Sequence, residues 1–119
     1  EHIMITEGIF DIINIKNMNN GIKNTKFIAS LGVDAMIKII IHNYKKYIDT
    51  IKSIVIFLDS DVETKNGFIY NENMYNRILN TLRRNIEIEH LEKFMFVYNS
   101  SSKDFGDFNK KITPVFITI

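Results

Sequence analysis

The chain has 119 residues, a net charge of +1 and 24% charged residues. That length suits one domain with a single core. The near-neutral balance excludes the strongly basic character of a dedicated nucleic-acid-binding domain. There is no cysteine, which excludes disulfides and thiolate metal sites and fits a cytoplasmic setting.

No apolar run approaches the roughly 18 residues of a membrane span; the longest candidate, MIKIIIHNY, is broken by Lys38 and His42. No signal-peptide pattern is visible. The sequence opens at Glu1 just ahead of a strand-like run and stops at Ile119 inside the apolar run PVFITI. We therefore expect residues 1–119 to be a single domain excised from a longer protein.

In chain order, IMIT (3–6) reads as a first strand and Gly8 as a turn. IFDIINIKNM (9–18) has Ile9, Ile12 and Ile13 at helical spacing, and MNNG (18–21) is a helix stop. KFIAS (26–30) is a second strand, followed by a turn at Leu31-Gly32. DAMIKIIIHNYKKY (34–47) is the clearest helix, with Asp34 placed to cap it and Lys45 and Lys46 suited to its C-terminal end. SIVIFLD (53–59) is the third strand. NENMYNRILNTLRR (71–84) is a third helix with Met74, Ile78 and Leu82 as its apolar stripe. KFMFVYN (93–99) is the fourth strand, SSSKDFGDFNKK (100–111) a polar loop, and ITPVFITI (112–119) one further candidate strand. His42 reads as surface or core edge. Tyr44, Tyr47, Phe94 and Phe96 read as core.

Strands alternating with helices give a parallel sheet, because a parallel connection needs a crossover. The expected fold is Rossmann-like α/β: a mainly parallel four-stranded sheet in order 2-1-3-4, flanked by helices. Such sheets place their sites beyond the C-terminal ends of the strands, where strand order reverses. Glu7 follows the first strand. Asp59 and Asp61 follow the third, and Asp104 and Asp107 follow the fourth. With strands one and three adjacent, Glu7, Asp59 and Asp61 converge. Two carboxylates about 4 Å apart repel by roughly 4 kcal/mol at an effective dielectric of 20, which a divalent cation between them offsets. Hard oxygen ligands without cysteine or a well-placed histidine point to Mg²⁺ or Mn²⁺ rather than zinc.

ITEGIFDIINI, FIASLG and IVIFLDSD, in this order and spacing, resemble the Toprim domain of bacterial-type primases, type IA and type II topoisomerases and some nucleases. Its hallmark is a Glu after the first strand and an Asp-x-Asp after the third, matched by Glu7 and by Asp59 with Asp61. TEGIFD and ASLG look most like the primase branch, which brings in Gly8, Asp11 and Gly32. KDFGD looks like the K-D-x-N-D of phage-type primases, which brings in Lys103, Asp104 and Asp107. The chain departs from the pattern twice: the stretch after Asp61 is longer than in primases, and Gly106 stands where an Asn is expected.

The resemblance implies Mg²⁺- or Mn²⁺-dependent nucleotidyl transfer, with RNA primers made from ribonucleotides on a single-stranded DNA template. Glu7, Asp59 and Asp61 would be catalytic; Glu7, Asp59, Asp61 and Asp104 would hold metal. Gly8, Asp11, Gly32, Lys103 and Asp107 would support them. Partners would include helicase or other domains of the same polypeptide, and no membrane. The same acids serve DNA cleavage in the nuclease and topoisomerase branches, and a non-catalytic nucleic-acid-binding module is a further alternative. IFLDSDVET also fits the nucleophile motif of haloacid-dehalogenase-type phosphatases. In that family the nucleophile strand comes first, and TEGIFD would have no role.

Overall fold

The computed structural model describes residues 2–18, 24–60, 62–103, 105–106 and 112–117. Its elements run β1 (His2–Thr6), α1 (Ile9–Met18), β2 (Thr25–Ala29), α2 (Val33–Tyr47), β3 (Ser53–Leu58), β4 (Val62–Thr64), β5 (Gly67–Ile69), α3 (Glu72–Asn85), a 3₁₀ helix (Ile88–Lys93), β6 (Phe94–Asn99) and β7 (Pro114–Ile117).

The most apolar run of the sequence explains the centre. Ile54 to Leu58 of β3 are all buried, as a parallel strand covered on both faces requires. β1 pairs with β3 in parallel, Ile5 opposite Ile56, and β6 pairs with its other side, Ile56 opposite Phe96. β2 lies outside β1, also parallel, and β7 closes the far edge antiparallel to β6. The order β2-β1-β3-β6-β7 contains the expected 2-1-3-4 and the extra C-terminal strand. β7 begins at Pro114, a position that an edge strand tolerates.

Side-chain alternation divides the core. Ile54, Ile56 and Leu58 point to a face covered by Met36 and Ile40 of α2 and by Met74, Ile78 and Leu82 of α3. Val55 and Phe57 point to the other, where Ile15 of α1, Val97 and Phe105 meet them. Burying each such side chain stabilises the fold by about 1.5–3 kcal/mol, so the strand pattern alone commits the chain to two layers of helix.

The structure departs from the sequence pattern at three places. Asp34 does not cap α2: Gly32 is the N-cap residue without a side-chain bond, and Asp34, in the first turn, pairs instead with Arg77 of α3. In α1, Ile12 and Ile15 are buried while Ile9 and Ile13 are exposed, because the helix turns Asp11 inward. The stretch after Asp61, which the sequence leaves without elements before residue 71, has structure of its own. It forms a β-hairpin of β4 and β5 with Thr64 opposite Gly67. Its turn is closed by Thr64 Oγ1 donating to the Gly67 carbonyl at 2.8 Å. α3 is capped as its sequence suggests, Asn71 Oδ1 accepting from the Met74 N–H at 3.1 Å.

Candidate active site

Because β1, β2, β3 and β6 are parallel, the residues that follow them gather at one edge of the sheet. The chain leaves β1 toward β2 on one side and returns to β3 on the other, so the switch point lies between the tips of β1 and β3. Extending the pairing of Ile5 with Ile56 two residues puts Glu7 opposite Leu58, one residue before Asp59. Adjacent strands lie about 4.8 Å apart. Glu7 and Asp59 therefore stand at neighbouring tips, both half-buried. With Gly8, Asp11 and Leu31 they line one open cavity of about 390 Å³.

The backbone holding Glu7 is fixed from the β2 side. The N–H groups of Ser30 and Leu31 donate to the carbonyls of Thr6 (2.8 Å) and Glu7 (2.7 Å), carrying the β1–β2 ladder past both strand ends. Ser30 Oγ, buried, donates to the Thr6 carbonyl at 3.1 Å and approaches the Gly32 carbonyl at 3.0 Å. Thr6 Oγ1 donates to the Gly8 carbonyl at 2.8 Å. This explains the ASLG run. Its serine ties two strand tips together, and Gly32 sits at φ 157°, ψ 155°, a region almost reserved for glycine. Leu31 adopts a left-handed φ of 61°, which costs a non-glycine residue about 1–2 kcal/mol.

Asp59 is fixed from the other side. Its carbonyl accepts the Asn71 N–H at 2.8 Å, so the residue that caps α3 also sets the peptide carrying the acid. Ser60 is fully buried. Its N–H donates to the Lys103 carbonyl at 2.6 Å and its Oγ to the Asn99 carbonyl at 3.0 Å. The middle residue of Asp-Ser-Asp thus bolts β3's tip to the segment after β6. Asn99 organises that segment, its Oδ1 accepting from the N–H groups of Ser101 (3.1 Å) and Thr113 (2.9 Å).

Asp11 is 7% exposed. Its Oδ1 accepts the Phe105 N–H at 3.0 Å, and Asn14 Nδ2 donates to the Phe105 carbonyl at 2.7 Å. Lys103 is exposed and reaches the site through its backbone. Asp61, Asp104 and Asp107 lie outside the described residues. Ser60, Asn99 and Asn14 carry no signal in the sequence: each works through a backbone partner that only the tertiary fold supplies.

Among the described residues the tips offer half-buried carboxylates on an open cavity and no soft ligand, a donor set suited to Mg²⁺ or Mn²⁺. Glu87, Glu89 and His90 also bring ligand atoms within 4.8 Å of one another, but they precede β6 and so lie at the opposite end of the sheet. No described helix is long and apolar enough to cross a membrane.

A family model described as Toprim-like matches residues 4–108, from the first strand through the loop after β6. No curated protein and no solved structure gives a match.

Proposed function

This chain belongs to the Toprim-like family, and from that premise we propose that it performs metal-dependent phosphoryl transfer on nucleic acid, specifically RNA primer synthesis on single-stranded DNA. The observation that carries the reading is the meeting of Glu7 and Asp59 on one cavity at the β1/β3 switch point. Toprim domains occur in primases, nucleases and topoisomerases. TEGIFD, ASLG and KDFGD favour the first of these.

In this reading Glu7, Asp59, Asp61 and Asp104 would hold Mg²⁺ or Mn²⁺, which when bound would supply charge stabilisation for phosphoryl transfer. The carboxylates supply hard oxygen donors in the cavity. Glu7, on the β1 tip, either positions the metal or works as general acid/base, a role worth about 10²–10⁴-fold. Gly8 lets α1 start directly behind Glu7, and Ser30 ties the β2 tip to the carbonyl of Thr6 beside it. The substrates are ribonucleotides and a single-stranded DNA template, with other domains of the same polypeptide, a helicase among them, as partners. The domain works in the cytoplasm.

The test is ribonucleotide incorporation on single-stranded DNA by the full-length protein with Mg²⁺ or Mn²⁺. Primer synthesis by the wild type, abolished in Asp59→Asn, is the expected result. A wild type that makes no primer but nicks supercoiled DNA transfers the same residues to a nuclease reaction and refutes the primase assignment.

A further inference from the structure

We propose that Asp11 is a positioning residue and not a metal ligand. Its carboxylate clamps the loop after β6 onto the first turn of α1, and Gly106 is glycine because that carboxylate fills the space a side chain there would need. The inference rests on the metal-dependent reading above and assigns a division of labour among its acids.

Three observations carry it. First, the Phe105 peptide is held at both polar atoms by one helix: Asp11 Oδ1 takes its N–H at 3.0 Å, and Asn14 Nδ2 donates to its carbonyl at 2.7 Å. The phenyl ring is buried edge-on against Phe57, centroids 5.0 Å apart. Second, the carboxylate is wedged between two glycines. A Cβ on Gly8 would lie 2.8 Å from Asp11 Oδ2. One on Gly106 would lie 3.0 Å from Asp11 Oδ1 and 3.1 Å from Phe10 Cβ. Third, the clamped loop is continuous with the Asp-Ser-Asp tip, because the Lys103 carbonyl accepts the Ser60 N–H at 2.6 Å.

The clamp thus joins the helix behind Glu7 to Phe105, and the Lys103 carbonyl joins the same segment to the tip carrying Asp59. It also accounts for the departure of KDFGD from K-D-x-N-D. With α1 this close, an Asn at 106 has to displace either Asp11 or the loop.

The experiment measures Mn²⁺ affinity by titration and hydrogen exchange at the Phe105 amide, with the Ile56 amide as an internal reference. The variants are Asp59→Asn, Asp11→Asn, Asp11→Ala, Asn14→Ala, Gly106→Asn and the double variant Asp11→Ala/Gly106→Asn. Asp11→Asn keeps an acceptor at Oδ1, so it should hold Mn²⁺ affinity within about threefold and retain much of the Phe105 protection. Asp11→Ala should lose about 10–100-fold of that protection, the equivalent of one hydrogen bond to a charged group, and should weaken Mn²⁺ binding, with Ile56 unchanged. If Asp11→Ala does not fold, Asn14→Ala removes the other half of the bracket and should loosen the same amide. Gly106→Asn should loosen the same amide as Asp11→Ala does, and should cost less in the Asp11→Ala background than in the wild type, the contact with Phe10 Cβ being all that remains of the crowding.

Loss of Mn²⁺ binding in Asp11→Asn as complete as in Asp59→Asn would make Asp11 a ligand and overturn the proposal. So would unchanged Phe105 exchange in both Asp11→Ala and Asn14→Ala. If the wild type binds no Mn²⁺, the metal-dependent reading fails, while the exchange measurements still decide the clamp.

Discussion

Replacing Phe105 with alanine tests whether the loop after β6 belongs to the core. The ring is 3% exposed and stands edge-on to Phe57. Truncating a buried Phe to Ala costs about 3–5 kcal/mol. Here the value should fall near the lower end. Phe105 also lines an apolar groove of about 180 Å³ with Met4, Ile15, Phe57 and Phe116, and water can enter the space left behind. Unfolding entropy near the melting point is about 2.1 cal/mol/K per residue. For 119 residues that is roughly 0.25 kcal/mol/K, so a loss of about 3 kcal/mol lowers Tm by about 12 °C. Circular dichroism melts of the wild type and the variant measure it, with Phe105→Leu expected to lose less than half as much. A drop under about 4 °C for Phe105→Ala would mean that the loop does not contribute to the core and that the α1 side is closed by something else.

The remaining predictions separate charge from scaffold. Asp59→Asn should abolish Mg²⁺ binding measured by calorimetry, whereas Glu7→Gln should weaken it less and reduce primer synthesis by about 10²–10⁴-fold; equal, wild-type synthesis in both would exclude the strand tips as the reactive centre. Asn71→Ala removes the α3 cap and should cost about 1 kcal/mol, a Tm drop near 4 °C. Its effect on metal affinity should be small, because the N–H that holds the Asp59 carbonyl is kept. Arg77→Ala should change stability by less than about 1 kcal/mol, since both members of the Arg77–Asp34 pair are largely solvated; a larger loss in chemical denaturation would show that the α2–α3 contact depends on it.

The parallel core was legible because period and length both spoke. Ile54–Leu58 is too short for a helix and too apolar for a surface strand, and the 34–47 and 71–84 patterns left room only for crossovers. The meeting of Glu7 with Asp59 followed from that topology. The hairpin was missed although Asn66-Gly67 is a recognised turn signal, because its strands are three residues each and carry little alternation. Asp34 misled because an Asp near a helix start fits a cap or a first-turn charge equally well, and only the position of Arg77 decides between them. In the sequence Asp11 stands out only as part of the TEGIFD pattern. Its burial depends on a loop 94 residues away, which no local pattern can announce.

That separation has a consequence for how the protein acquires its site during synthesis. The contact joins the start of α1 to the segment before β7, so it closes a loop that spans most of the sequence, and closure entropy grows with loop length. β1, β2 and β3 can pair while the ribosome is still adding α3, but Phe105 has to emerge before Asp11 is covered. A nascent or truncated chain that stops short of Phe105 retains Glu7 and Asp59 on neighbouring strands while the loop beside them is absent. The surroundings of Glu7 and Asp59 are therefore completed only after the chain of β1, β2 and β3 has been made.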